Sequence, residues 1–213
     1  MSRVTLSTTP PITSGGEKLV FWHPGQPGHL IKVINTRYFD YMHKQWPVMM
    51  RLQRLAHYWS YLRELTEHIA ARANGVPDLH HLQNITGLVD TDLGLGLVTE
   101  AVTRPDGQLA WTLGDLIEQG HYGPVEQAAF ERFCQWLSNA PLIIRDLSVH
   151  NLVWHEAGEY FVVIDGVGGK IRPTLRSFSD YYNRRSNRQK VAKLKERIAR
   201  MQAKQPGIRH ASA

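Results

Sequence analysis

Short apolar runs separated by glycine and proline fill the segment from Ile12 to Asn35, and this pattern predicts β-strands. The runs Lys18 to Trp22 and His29 to Ile34 lie on either side of the turn cluster HPGQPG, which predicts an antiparallel hairpin. A further run starts at Ile12 and is followed by the turn cluster TSGG. We therefore expect three strands near the start of the chain.

The pattern then changes to a helical period. Between Arg51 and Ala73, apolar residues recur at intervals of three and four, which predicts a helix with one apolar stripe. The same period returns from Val125 to Asn139, and Thr112 to Gln119 is typical of a short helix whose N-cap is Thr112. The stripe of the first helix comprises Leu52, Leu55, Trp59, Leu62, Leu65 and Ile69.

Two more strand pairs and a last helix complete the pattern. Ile85 to Val89 and Leu95 to Val102 lie around the turn DTDLG, while Leu142 to Val153 and Tyr160 to Ile164 are apolar runs broken by polar residues. The stretch TRYFDYMHKQWPVMM has no regular period, so we assign it no element. The order of strands, helix, strands and helices predicts an α+β fold with two lobes. The last helix has an apolar stripe of Val191, Leu194, Ile198 and Met201.

Charge is distributed unevenly. The net charge is +6, but residues 172–213 contain twelve Lys or Arg and only two acidic residues. Such a segment attracts nucleic acid, an anionic membrane surface or an acidic protein face, although a solvated helix face has the same composition. The single cysteine, Cys134, excludes an intramolecular disulfide, and no apolar run is long enough for a signal peptide or a membrane span. We expect a cytoplasmic protein.

Three polar residues in the stretch IIRDLSVHNLVWHEAGEYFVVIDGVGG carry the candidate chemistry. Asp146 is followed by Asn151 five residues later, and Asp165 closes the apolar run FVVID directly before a glycine. Phosphoryl transfer needs a carboxylate near the acceptor hydroxyl and hard oxygen ligands for magnesium. Each residue alone is also typical of a turn or a cap. The ordered set predicts that Asp146 orients the acceptor and that Asn151 and Asp165 bind Mg²⁺, or Mn²⁺ in its place.

A lysine and a glutamate upstream add to this interpretation. Lys32 lies inside the predicted strand HLIKVI, and Glu64 lies on the helix that follows. In kinases a strand lysine holds the ATP phosphates and a helix glutamate holds the lysine. The alternatives are an edge lysine and a surface pair of Glu64 with His68, one helical turn away. Glu67 is a second glutamate on the same helix.

Two backbone segments are candidates for contact with ATP. Ser14, Gly15 and Gly16 lie where a phosphate-covering loop is expected, although they do not match the pattern G-x-G-x-x-G. Glu100, Ala101 and Val102 end the strand before the helical half, where a hinge would face adenine. Simple turn and strand roles are the alternatives for both segments.

At this point the chain resembles the bacterial YrbL family of PhoP regulatory network proteins, a kinase-like group. The resemblance covers roughly residues 12–190 and depends on the segment ITSGGEKLVFWHPGQPGHLIKV, the helix around LREL, the segment GLVDTDLGLGLVTEAVTRPDGQ, and the motifs RDLSVHN and IDGVGG. It implies a protein-kinase-like fold with a small β-rich N-lobe and a truncated helical C-lobe. It also implies the roles given above for Lys32, Glu64, Asp146, Asn151 and Asp165.

Several positions depart from the usual kinase pattern. Ile144 replaces the histidine before the Arg145-Asp146 pair, and Ser148 replaces the lysine two residues after the aspartate. We keep Arg145 as a catalytic candidate and Ser148 as a nucleotide-binding candidate. Only 48 residues follow Asp165, too few for a full peptide-docking lobe. We expect an N-lobe over residues 1–102, a reduced C-lobe over 103–180, and a basic helix and tail over 181–213.

Two functions remain open at the level of sequence. One is an atypical kinase that transfers the γ-phosphoryl group of ATP to a protein side chain or to a sugar or lipopolysaccharide hydroxyl. The other is a nucleotide-binding pseudokinase or adaptor that contacts an acidic partner or an anionic membrane through residues 172–209. Nucleic acid is not expected as a partner, because the basic segment lacks interleaved aromatic residues. Eleven histidines without an H-E-x-x-H motif do not predict zinc.

Overall fold

A computed structural model describes residues 3–14, 16–44, 55–169 and 179–204. Within it the chain divides into two compact units. The first comprises residues 1–65 and 84–101, and the second comprises residues 66–83 and 102–213. Gly15, the first residues of the predicted helix at 51–54, and the ends of the predicted basic surface at 172–178 and 205–209 lie outside the described residues.

The first unit is built on a five-stranded antiparallel sheet. The strands lie side by side in the order β1-β2-β3-β5-β4, so the neighbour of β3 is β5 and β4 lies at the edge of the sheet. Leu6, Phe21, Ile31 and Val33 form an apolar cluster on one face of this sheet. The strands are β1 (Thr13–Ser14), β2 (Lys18–Trp22), β3 (His29–Ile34), β4 (Ile85–Thr91) and β5 (Gly94–Glu100).

Between β3 and β4, the described residues form two α-helices. The start of the segment to which the sequence assigned no element forms α1 (Thr36–His43), and residues 45–50 of that segment lie outside the described residues. The predicted long helix is α2 (Trp59–Ala73), preceded by a 3-10 turn at Ala56–Tyr58. The other face of the sheet packs against the start of α2 through Ile34, Leu97 and Tyr61.

The described part of the predicted helix is helical, but its apolar stripe is only partly buried. Leu55 is 50% exposed and Ile69 is 66% exposed, although both belong to the apolar stripe. The buried positions are instead Ser60, Tyr61, Glu64, Glu67, His68 and Ala71. Burial on this helix therefore follows specific polar contacts rather than hydropathy alone.

Besides the second half of α2, the described residues of the second unit form three helices and one hairpin. α3 (Leu113–Glu118) starts with a capping box in which Thr112 and Asp115 satisfy each other's backbone N–H groups, as expected for a Thr N-cap. α4 (Pro124–Asn139) buries Phe130, Phe133 and Leu137 in the main core. The hairpin consists of β6 (Leu152–His155) and β7 (Tyr160–Val163), and the last helix is α5 (Asp180–Ala203).

α5 packs as part of this core. Val191, Leu194 and Ile198 of the predicted stripe are buried in the same cluster as α4 and the hairpin. The stripe extends toward the start of the helix through two buried asparagines, Asn183 and Asn187. The α+β class, with a small β-rich N-terminal unit and a mainly helical second unit, is confirmed. Among the helices of the described ranges, none has the length and apolar character needed to cross a bilayer.

Candidate functional site

The segment from Asp146 to Asn151 folds back on itself. The side-chain amide nitrogen of Asn151 donates to the carboxylate of Asp146 at 3.1 Å and to its backbone carbonyl at 3.3 Å. Because a carboxylate can only accept, the amide nitrogen must face Asp146 and the amide oxygen is turned away from it. The carboxylate of Asp146 and the amide group of Asn151 thus lie side by side in this loop.

Asp165 and Gly166 lie directly beside this loop. Ile164, the residue before Asp165, donates its N–H to the carbonyl of Asn151 at 3.0 Å. Gly166 has a φ of +78°, and a Cβ at this position would lie 2.3 Å from the carbonyl oxygen of Asp146. Only glycine combines the left-handed backbone with such a close approach. Gly166, the second residue of the Asp-Gly pair, therefore packs directly against the backbone of Asp146.

Backbone hydrogen bonds join the two segments. Arg145 and Asp146 both donate N–H groups to the carbonyl of Gly166, at 2.7 and 3.2 Å. Gly168 donates to the carbonyl of Ile143 at 2.7 Å, and Ile144 forms an isolated antiparallel bridge with Val167. The structure therefore brings together the loop at 143–151 and the segment at 164–168, two of the sequence-predicted motifs.

Polar side chains from two helices hold the segment that leads into this loop. Glu67 of α2, which is 7% exposed, accepts the N–H of Ile143 at 2.7 Å. Asn187 of α5 donates to the carbonyls of Leu142, Ala140 and Leu137, at 2.9, 3.3 and 3.4 Å.

Two further residues of α5 reach the same segment. Asn183 donates to the carbonyl of Pro141 at 3.1 Å, and Lys190 donates to the carbonyl of Arg145 at 3.0 Å. None of these four side chains was predicted as functional. Asn183 and Asn187 continue the four-residue spacing of the apolar stripe of α5, which is the signal in the sequence that could have found these two.

Lys32 and Glu64 are both buried in the first unit. They are 5% and 6% exposed. Glu64 forms an ion pair with Lys18, the first residue of β2. Lys18 was not a predicted site residue, because a lysine that follows a turn reads as an exposed strand end. Pairing of Lys32 with Glu64 stays a prediction.

Tyr61 fixes the strand that carries Lys32. Its hydroxyl group donates to the backbone carbonyl of Lys32 at 2.6 Å and lies 3.1 Å from the carbonyl of Leu95. Burial raises the pKa of Tyr61 well above its usual value, so the hydroxyl stays protonated and keeps its role as a donor. The backbone at Lys32 is therefore fixed by the hydrogen bond from Tyr61 of α2 and by its pairing with β5.

The two backbone segments predicted to meet ATP are described in part. Gly16 is exposed and lies close to the ring of Tyr38 on α1, because a Cβ at Gly16 would be 3.2 Å from that ring. In the second segment, Glu100 donates its N–H to Asn84 and Ala101 donates its N–H to Gly28, at 3.0 and 2.8 Å. Those two N–H groups are thus occupied by the protein itself.

The remaining candidates surround Asp146. The carbonyl of Ser148 accepts the N–H of Asn151 at 3.2 Å, which makes Ser148 part of the turn. The N–H and the carbonyl of Arg145 both take part in the hydrogen bonds described above, with Gly166 and Lys190, while its side chain is exposed.

Oxygen donors fit magnesium better than zinc. The described residues contain no group of three or more His, Cys, Asp or Glu side chains placed to hold a metal ion. Asn151 and Asp165 supply one amide oxygen and one carboxylate, which suits a Mg²⁺ ion that keeps phosphate and water among its ligands. The donor set is thus compatible with a metal bound together with ATP.

Comparison with known proteins gives one family and a distant structural likeness. No functionally curated protein matches the sequence. A solved structure described as Rad53 1–466 in complex with AMP-PNP is similar at 12% identity and a TM-score of 0.48, covering 95% of this chain. The match spans 49% of the Rad53 chain, about half its length.

The family comparison covers nearly the whole chain. The model described as PhoP regulatory network protein YrbL matches residues 4–199, which include most of both units and every predicted site residue. The resemblance inferred from RDLSVHN, IDGVGG and the first hairpin is thereby confirmed. The chain belongs to the YrbL family of PhoP regulatory network proteins.

Proposed function

We propose that this chain is a kinase-like phosphotransferase that binds ATP with Mg²⁺ and transfers the γ-phosphoryl group to an acceptor hydroxyl. The observation that carries the proposal is the mutual fit of the Asp146–Asn151 loop and the Asp165-Gly166 pair. Asn151 bonds to Asp146, and Gly166 lies too close to Asp146 for any side chain to replace its hydrogen. If the loop were only a turn and Asp165 only a strand end, neither would need to contact the other so closely.

Each oxygen-bearing side chain has a role in the proposed reaction. Asp146 accepts a hydrogen bond from the acceptor hydroxyl and takes its proton as the oxygen–phosphorus bond forms, while the bond to the leaving ADP breaks. Asn151 and Asp165 are the residues that would hold Mg²⁺. The bound cation would neutralise charge on the phosphates. Arg145 and Ser148 hold the loop through their backbone groups.

The first unit is proposed to bind the nucleotide. Lys32 contacts the phosphates, Glu64 orients Lys32, and the segment Ser14–Gly16 covers the phosphates with its N–H groups. In the segment Glu100–Val102, two N–H groups already donate to Asn84 and Gly28. The N–H of Val102 is therefore the donor that we assign to adenine.

The central test separates binding from transfer. Asp146→Ala should bind MgATP within a few-fold of the wild type and lose about 10²–10⁴-fold in transfer rate, the usual contribution of a general base. Asp165→Ala should weaken MgATP binding itself. Calorimetric titration measures binding, and labelled ATP incubated with magnesium and a cell extract measures transfer into protein and lipid fractions.

A matched control and two outcomes make this test decisive. Asp90→Ala removes an exposed carboxylate on β4 and should change neither quantity. Unchanged transfer by Asp146→Ala would show that Asp146 is not the base. Failure of the wild type to bind MgATP would overturn the whole proposal. Binding without any transfer would favour the adaptor function, with the basic α5 surface as the contact.

A further inference from the structure

The positive charge of the chain is concentrated on α5. This helix contains eight Lys or Arg and two acidic residues, and its net charge of +6 equals the net charge of the whole chain. The other residues together are therefore neutral on balance. A local excess of one sign creates a potential that attracts a partner of the opposite charge to that place on the molecule.

The charged residues of α5 lie on the side of the helix that faces away from the core. Val191, Leu194 and Ile198 are buried, so the apolar side of the helix is already packed. Seven of the eight basic side chains are exposed. The helix has 24 residues and is therefore about 36 Å long. It presents a long basic surface rather than a single cationic point.

Intramolecular ion pairs compensate only part of this charge. Lys195 pairs with an acidic residue of α4 at 2.5 Å, while Arg184 and Arg200 each have a carboxylate of α5 four positions before them, at 4.0 and 3.8 Å. Within the described ranges, no carboxylate lies within ion-pair distance of Arg185 or Arg188, and both side chains are exposed. These two guanidinium groups can therefore meet an external anion without breaking an internal pair.

Two exposed aromatic residues lie at the start of the same helix. Tyr181 is 65% exposed and Tyr182 is 46% exposed, and they precede Arg185 and Arg188 by about one and two turns. Tyrosine is enriched at the boundary between lipid and water, because its ring is apolar and its hydroxyl is polar. Tyrosines beside guanidinium groups are therefore suited to the headgroup layer of a bilayer.

We infer that the exposed side of α5 is a docking surface for an anionic membrane, in which Arg185 and Arg188 contact lipid phosphates and Tyr181 and Tyr182 lie among the headgroups. The basis is charge complementarity, since clusters of about four to eight Lys or Arg on a helix bind anionic lipids. A straight helix matches a planar surface along its whole length. The inference does not depend on phosphoryl transfer.

Nucleic acid is also anionic but fits this surface less well. Proteins that bind single strands place aromatic side chains between their basic residues, so that successive bases can stack on them. The aromatic residues of α5 are instead confined to its first turn, and the rest of the exposed side contains basic residues and small or polar ones. A bilayer needs aromatic contacts at one depth only, which two adjacent tyrosines supply.

Co-sedimentation of the full chain with lipid vesicles tests the surface. Vesicles of phosphatidylcholine and phosphatidylglycerol should bind the wild type, and vesicles of phosphatidylcholine alone should bind it at least about tenfold more weakly. Arg185→Gln with Arg188→Gln should lower the affinity for the anionic vesicles about tenfold or more, because each basic residue near the surface contributes about a factor of five. Tyr181→Ser with Tyr182→Ser should also lower this affinity, without a change in its salt dependence.

A matched control removes the same charge outside α5. Arg37→Gln with Lys44→Gln changes two exposed basic residues of the first unit and should keep the affinity within about twofold, because the attraction of a charge falls off within a Debye length of the bilayer. Circular dichroism verifies that the variants are folded. Equal affinity for both kinds of vesicle, or equal losses in the two charge variants, would overturn the inference. Tighter binding of a DNA or RNA duplex than of anionic vesicles at the same salt would also overturn it.

Discussion

At the scale of single residues, the candidate site depends on close backbone approaches as much as on its polar side chains. Gly166 has a φ of +78° and lies against the carbonyl of Asp146. The residue is therefore required for two separate reasons, a left-handed backbone and the absence of a Cβ. Gly107, in an exposed turn, has a similar φ of +81° but nothing within 4 Å of an added Cβ.

This pair of glycines gives a controlled experiment. Gly107→Ala should cost about 1–2 kcal/mol of unfolding free energy, from the left-handed backbone alone. Gly166→Ala should cost more, and it should also reduce phosphoryl transfer, because the new methyl group pushes Asp146 out of place. Urea unfolding and the transfer assay measure the two effects. Equal losses of stability and unchanged transfer in both variants would contradict the assigned role of Gly166.

At the scale of elements, α5 behaves as a support for the loop and not as a separate tail. Its apolar stripe is buried with α4, and its polar residues at 183, 187 and 190 hold backbone carbonyls between Leu137 and Arg145. The basic charges that stand out in the sequence lie mainly on the exposed side of the helix. One helix can therefore present a cationic surface and still position Asp146.

Asn187 provides the test of that support. Asn187→Leu leaves three backbone carbonyls without their donor, and a buried group left unsatisfied costs about 1–3 kcal/mol. We expect lower stability in urea and a lower turnover number, with little change in MgATP affinity. Gln189→Leu, an exposed amide on the same helix, is the control. Turnover that falls no more in Asn187→Leu than in the control would contradict a positioning role.

At the scale of the whole molecule, each unit has its own core, and a natural probe exists for one of them. Cys134 is the only cysteine in the sequence, lies on α4, and is 3% exposed. Burial raises the pKa of its thiol to about 12. Since the thiolate is the reactive form, the folded chain should react with thiol reagents only when the second unit opens.

The thiol also predicts a dependence of stability on alkaline pH. A raised pKa in the folded state means that the contribution is complete below the unfolded pKa of about 8.5 and is lost as pH rises toward the folded value. Stability should therefore fall at alkaline pH, and Cys134→Ser or Cys134→Ala should lessen that fall. Urea unfolding at a series of pH values measures it. Rapid labelling of the native chain near pH 8 would show that the thiol is not protected.

Much of the local structure follows directly from the sequence. The strands β2 and β3, the cap of α3, and the helices α4 and α5 agree with their predictions within a few residues. The sequence also predicted the positions of the candidate loop, with Asp146 and Asn151, and of the Asp165-Gly166 pair. Strand alternation, turn residues and helix caps depend on neighbours a few positions away, so one sequence is enough to reveal them.

Tertiary structure decided the contacts between distant residues. The ion pair of Lys18 with Glu64, the bond of Glu67 to Ile143 and the bonds of Asn187 connect residues about 45 to 76 positions apart. Hydropathy predicted a different buried face for α2, because it cannot show that a buried carboxylate finds a lysine or an N–H group. The sequence alone thus determined the candidate groups for the proposed chemistry, because their types and spacing are local, whereas packing and register decided which other groups hold the candidate loop in place.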